Sequence, residues 1–102
     1  MDESVIRHLE QPKVGTLKLS EAIRIGARMR PQCRGTFFRE GGSCALGAAV
    51  EAKEGHPTLN FDQNWESYFG APMKIMEEVT WMNDRSNFSR EQIADWLEAQ
   101  GY

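Results

Sequence analysis

The chain has 102 residues, 12 basic and 15 acidic side chains and a formal net charge of −3, with 40% hydrophobic residues. One domain of modest apolar content fits these values, with enough chain to bury a core without disulfides or metal. They exclude a collagen, a disulfide scaffold and a polybasic tail, and no run approaches the apolar length that a membrane helix needs. The charge is uneven: residues 1–39 are mostly basic and residues 40–102 mostly acidic. The two halves are expected to attract each other, with a basic face toward an acidic partner as the sharper reading.

Taken in chain order, Met1-Asp2-Glu3-Ser4 is an acidic start with no apolar stretch behind it. It lacks the basic and apolar pattern of an export signal, so a reducing cytoplasm is expected, with Cys33 and Cys44 as free thiols. Residues 1–16 read as an N-terminal arm or a short helix over 2–10, with Val5, Ile6 and Leu9 on one side and Pro12 and Gly15 ending it. Residues 17–102 read as a single helical domain.

Ser20 is expected to cap the first clear helix, with Glu21 at its positive end. Leu19, Ala22, Ile23, Gly26 and Met29 would form the inward stripe, and Pro31 the stop. Arg24 and Arg28 lie one turn apart and share a face. Residues 31–42 read as a loop with a short extended piece at Thr36-Phe37-Phe38. Gly41-Gly42 leads into Ser43, the expected cap of a helix over 44–54. Ala45, Leu46, Gly47, Ala48, Ala49 and Val50 leave that helix almost no polar face, so it is expected at the centre of the fold. Gly55 and Pro57 mark its end.

Phe61, Trp65, Tyr68 and Phe69 sit at helical spacing, with Asp62 as the expected cap and Gly70 as the close. Pro72 suits a helix start. Ile75, Met76, Val79 and Met82 form the next stripe with Trp81 beside it, and Asn83-Asp84-Arg85-Ser86-Asn87 reads as a polar loop. Ser89 and Gln92 form a capping box, with Phe88 and Ile93 as a hydrophobic staple, ahead of a last helix that Gly101 ends. No segment alternates long enough for a sheet. The expected fold class is all-α, a compact helical bundle of four to five helices around the small-residue helix 44–54.

Cys44 is the one candidate nucleophile, because a thiol at a helix N-terminus is drawn toward thiolate. A base is hard to supply. His56 lies past the far end of the same helix, roughly 15 Å away, and His8 lies in the arm. A small buried structural thiol is the simpler reading. Cys33, Cys44 and His56 lack the close pairs of a zinc site, and the 83–87 segment fails the calcium-loop register: counted from Asp84, Ser89 stands at the sixth position and Asp95 at the twelfth. Gly41-Gly42-Ser43 with Arg34 and Arg39 could touch an anion, yet there is no phosphate-loop lysine. The segment 89–97 is similar to the first helix of helix-turn-helix units. No recognition helix is expected to follow it, and Arg90 is outweighed by Glu91, Asp95 and Glu98, so nucleic acid is not an expected partner. No cofactor and no metal is expected.

Leu19-Ser20-Glu21-Ala22-Ile23, Cys44-Ala45-Leu46-Gly47-Ala48-Ala49, Trp81 with Asn83-Asp84, and Arg90-Glu91-Gln92-Ile93-Ala94-Asp95-Trp96 together resemble small helical proteins of bacteria and their phages. These pair a Cys-x-Leu-Gly-Ala helix with a later Asn-Asp before the final helix. The resemblance spans residues 17–100. It implies an all-helical fold and a bacterial cytoplasmic setting, and no activity or catalytic residue. The expectation is therefore a non-enzymatic protein-binding or accessory module of a bacterial cell or prophage. Arg24, Arg28, Arg34, Trp65 and Tyr68 are its candidate contact residues, toward a protein partner or a second copy. The alternative is a small thiol-dependent enzyme using Cys44.

Overall fold

The structure, a computed structural model, describes residues 17–102. The expected arm or helix within residues 1–16, with His8, lies outside the described residues. The first helix, α1 (Leu19–Ala27), begins two residues earlier than a Ser20 cap would place it. Lys18 holds the cap position, and its N–H donates to Glu21 Oε1 at 3.1 Å. Ser20 is instead buried in the first turn, where its N–H meets the Tyr102 carbonyl at 3.1 Å. Leu19, Ala22, Ile23 and Gly26 face inward as their spacing predicts. Met29 does not: the helix has ended before it, and it stands 49% exposed.

Residues 31–43 are more ordered than a loop. Phe38–Arg39 (β1) pairs antiparallel with Gly42–Ser43 (β2), in the register Phe38 to Ser43 and Arg39 to Gly42. Glu40 and Gly41 turn the hairpin, both with positive φ (50° and 79°). Two left-handed residues in succession match the twist of the flanking strands, which is why a glycine serves at the second. The segment before the hairpin lies along β2: Ser43 N–H donates to the Pro31 carbonyl and Cys33 N–H to the Ser43 carbonyl, both at 2.9 Å. The expectation of an all-α chain is corrected accordingly. The described residues form five helices and one two-stranded sheet, and the protein is mostly helical. Each strand is two residues long, too short to show alternation in the sequence.

The second helix, α2 (Ala45–Glu54), is buried from Ala45 through Glu51, and Gly55 closes it at φ 86°. Its cap is Cys44 and not Ser43, which belongs to β2. The small residues do what their size suggests. A Cβ on Gly26 of α1 would lie 1.9 Å from the Ala48 carbonyl oxygen, so the two backbones touch there. A short helix, α3 (Trp65–Phe69), is capped by Asn64, whose side chain accepts from the N–H groups of Glu66 and Ser67. Asp62, the expected cap, braces the turn by accepting from Ser67 Oγ at 2.7 Å and from Asn64 N–H at 2.9 Å.

The fourth helix, α4 (Met73–Arg85), buries Met76, Val79 and Met82. It also runs straight through Asn83-Asp84-Arg85, the first three residues of the expected polar loop, and Asn83 is 1% exposed. The last helix, α5 (Arg90–Ala99), carries the predicted capping box: Gln92 N–H donates to Ser89 Oγ at 3.1 Å and Ser89 N–H to Gln92 Oε1 at 2.9 Å. Ile93 is fully buried, while Phe88 stays 37% exposed. The helix lies antiparallel to α1, since Arg90 reaches the carbonyls of Ala27 and Arg30 at one end and Tyr102 meets Ser20 at the other. Among the described residues no helix is long and apolar enough to cross a membrane.

Candidate functional site: a groove along α4

Two buried polar side chains, Arg90 and Asn83, tie the hairpin and the segment before it to the helices. The Arg90 guanidinium is buried and donates to Ser43 Oγ at 2.8 Å and to the Arg30 carbonyl at 2.7 Å, with longer bonds to the carbonyls of Ser43 and Ala27. Burial holds its pKa below the usual arginine value. Its five-donor fork collects carbonyls from separate segments, which a lysine could not do. Arg30 forms a two-pronged pair with Glu51 of α2, both bonds at 2.8 Å.

Asn83 is the second tie. Its Oδ1 accepts from Ala45 N–H at 3.0 Å and from Gln32 Nε2 at 2.8 Å. Its Nδ2 donates to the Cys33 carbonyl at 3.0 Å and to Asp84 Oδ1 at 2.8 Å. Asp84 Oδ1 in turn accepts from Gly35 N–H at 3.0 Å. Every donor and acceptor of the buried amide is used, as burial demands. The result pins residues 32–37 against the last turn of α4.

That pinning opens a groove. A hollow of about 260 Å³ lies between Thr36-Phe37, the start of α2 at Cys44 and Ala45, and Thr80 and Asp84 of α4. A second hollow of about 440 Å³ shares Phe37, Leu46, Thr80 and Asp84 with the first. It continues along α4 past Glu77 and Trp81 to Met73 at one end and Arg85 at the other. Trp81 is 56% exposed and Met73 59% exposed on this face. The Thr80 hydroxyl is already spent on the Met76 carbonyl, at 2.9 Å.

Cys44 lines the first hollow but is not primed for attack. Its thiol sulfur accepts from Gly47 N–H at 3.3 Å, and burial pushes its pKa up to about 11. Desolvation thus outweighs the helix N-terminus that would favour thiolate. Cys33 is also a free thiol with a pKa raised by burial. His56 is exposed just past the far end of α2. Among the described residues no three His, Cys, Asp or Glu side chains gather in a way that could hold a metal ion.

The other expected contact residues scatter. Arg24 is drawn onto α5, pairing with Asp95 at 2.6 Å, Glu98 at 2.7 Å and Glu91 at 3.8 Å. Its hydrogen bonds to Asp95 and Glu98 raise its pKa. Part of the basic half of the chain is therefore neutralised inside the fold. Arg28 and Arg34 remain exposed. Trp65 and Tyr68 are buried, at 9% and 6% exposure, so the expectation that part of the 61–69 cluster stands out as a contact surface is corrected for these two. They pack with Phe37, Phe61 and Phe69, ring centroids 4.8 to 6.3 Å apart, and Lys53 Nζ sits 4.1 Å from the Tyr68 ring centre. The Tyr68 hydroxyl donates to Glu54 Oε2 at 2.5 Å. The exposed tryptophan is Trp81, and its signal was in the sequence, because it is out of step with Met76, Val79 and Met82. Asn83 carried no such signal, since a polar residue near a helix end usually faces water.

No family model matches this chain, and neither a curated protein nor a solved structure with significant similarity to it is found.

Proposed function

We propose that this protein is a non-enzymatic binding module that acts through protein contacts, and that the groove along α4 is where its partner docks. In this reading the helices form a bundle around α2, and the module works in the cytoplasm of a bacterial cell or its prophage. The observation that carries it is the exposure of Trp81 and Met73 together along one groove. Large apolar side chains clustered on a concave surface favour contact, and tryptophan is among the strongest anchors of protein interfaces. The base of the groove is held by Asn83 and Asp84, so the surface is in place before anything binds and loses little entropy on docking. The burial of Cys44 and its raised pKa weigh against the thiol-enzyme alternative.

An aromatic photo-crosslinking residue, which keeps a large apolar ring at position 81, with the same residue at exposed position 28 as control, tests this. A discrete protein adduct formed from position 81 alone, and abolished by Met73→Asp, supports the groove as a binding surface. Equal labelling from both positions, or none from 81, overturns it.

A further inference from the structure

The outer face of α4 is complementary to itself. Met73, Glu77, Trp81 and Arg85 are spaced four residues apart, are all exposed, and all line the same hollow. Such a row of fours is one of the ridges by which helices pack. Trp81 stands midway between Glu77 and Arg85, each ~6 Å away along the axis, in opposite directions. Among the described residues neither Glu77 nor Arg85 takes part in an ion pair.

A two-fold axis in a homodimer requires each surface to match a copy of itself turned end for end. With the axis at Trp81, each position meets the one equally far on the other side. Trp81 then packs on its mate, and Glu77 of each chain faces Arg85 of the other, twice. The like-charged alternative, Glu78 facing Asp84, falls on the row of threes. Those rows diverge when rows of four are aligned.

Resting on the reading of α4 as a binding face, we propose that its occupant is a second copy of this chain, docked antiparallel through α4 with Trp81 on the two-fold axis. The contact is one helix face and so smaller than a permanent dimer interface, which fits a reversible association. Paired tryptophans supply the buried apolar area, and the two Glu77–Arg85 pairs set orientation and register.

Sedimentation equilibrium on the full chain tests it. The wild type is expected to show a reversible monomer–dimer equilibrium. Trp81→Ala is expected to raise the dissociation constant at least about tenfold, since central aromatic anchors dominate such contacts. Glu77→Arg and Arg85→Glu should each weaken the dimer, by placing like charges face to face, and the double swap should restore it. All these side chains are exposed, so unchanged circular dichroism and melting temperature will confirm that each variant folds. A wild type that stays monomeric, or a dimer indifferent to Trp81→Ala and to both charge swaps, overturns the inference. If the chain is monomeric while crosslinks from position 81 reach a different protein, only the second copy is excluded. If it is monomeric and position 81 gives no adduct, the binding reading falls with it.

Discussion

The side-chain oxygen of Asn83, in the last turn of α4, accepts the N–H of Ala45, the first residue of α2, at 3.0 Å. One helix thereby satisfies an open amide at the start of another, in a place that water does not reach. The same amide holds Gln32 and Cys33, so two helices and the segment leading to the hairpin converge on one side chain. Cys44, the cap residue, uses its sulfur for Gly47 N–H, and the two side chains divide the free donors of α2 between them.

Asn83→Ala is therefore expected to be costly. It strands the Ala45 N–H and the Cys33 carbonyl, each worth about 1–3 kcal/mol when buried without a partner. A loss of about 3 kcal/mol in urea unfolding is the expected result. Asn83→Asp keeps an acceptor for Ala45 but places a carboxylate beside Asp84. Burial and the neighbouring charge raise the new group's pKa, so its penalty is full at neutral pH. The stability gap to wild type should narrow as pH falls toward the ordinary carboxylate range.

Gly26→Ala tests the closeness of α1 and α2. The added methyl would meet the Ala48 carbonyl oxygen at 1.9 Å, and backbone cannot swing aside as a long side chain can. Overpacking typically costs about 1–3 kcal/mol, and this site should reach the top of that range or beyond it. Gly47→Ala meets the Phe37 carbonyl oxygen at 2.2 Å, but Phe37 belongs to the connecting segment and not to a helix. A smaller loss is expected there, measured by thermal melting of both variants.

Cys44 should behave as a core thiol. In a Cys33→Ser background, alkylation should follow a pKa of about 11 in place of the ordinary 9.0. Folding stability follows the same linkage. The contribution is intact below the unfolded value. Above it the unfolded chain loses its proton first, so stability falls as pH rises from 9.0 toward about 11. That decline should be absent in Cys44→Ser. Rapid labelling of Cys44 at neutral pH would contradict the buried arrangement.

Arg90→Lys retains the charge and loses the fork. A single ammonium cannot serve Ser43 Oγ and the Arg30 and Ala27 carbonyls together, so about 2 kcal/mol or more should be lost. Amide exchange locates the effect: the Cys33 and Ser43 amides, which tie the hairpin to its neighbouring segment, should lose more protection than the middle of α5. An even loss throughout the protein would mean that the arginine acts on global stability alone.

Local chemistry made much of the fold legible. Ser89 and Gln92 announced the start of α5, Gly55 and Gly70 closed their helices, and the apolar run 45–50 marked α2 as buried. Expected and observed caps differ at three helices, for Ser20 and Ser43 through partners far along the chain and for Asp62 through a local turn. Ser20, Ser43 and Asp62 are all good caps by type. Lys18, Cys44 and Asn64 occupy the cap positions because Ser20 is engaged by Tyr102, Ser43 by Pro31 and Arg90, and Asp62 by a turn of its own.

The sequence by itself determined which segments are helical and most of the residues that turn inward, because apolar spacing acts over a few residues. Only the tertiary structure decided that Asn83 and Arg90 lie inside and that a groove forms along α4 beside Trp81. The physical reason is distance along the chain. Partners 38 to 63 positions apart compensate the cost of burying an amide or a guanidinium, and neither composition nor periodicity carries a record of them.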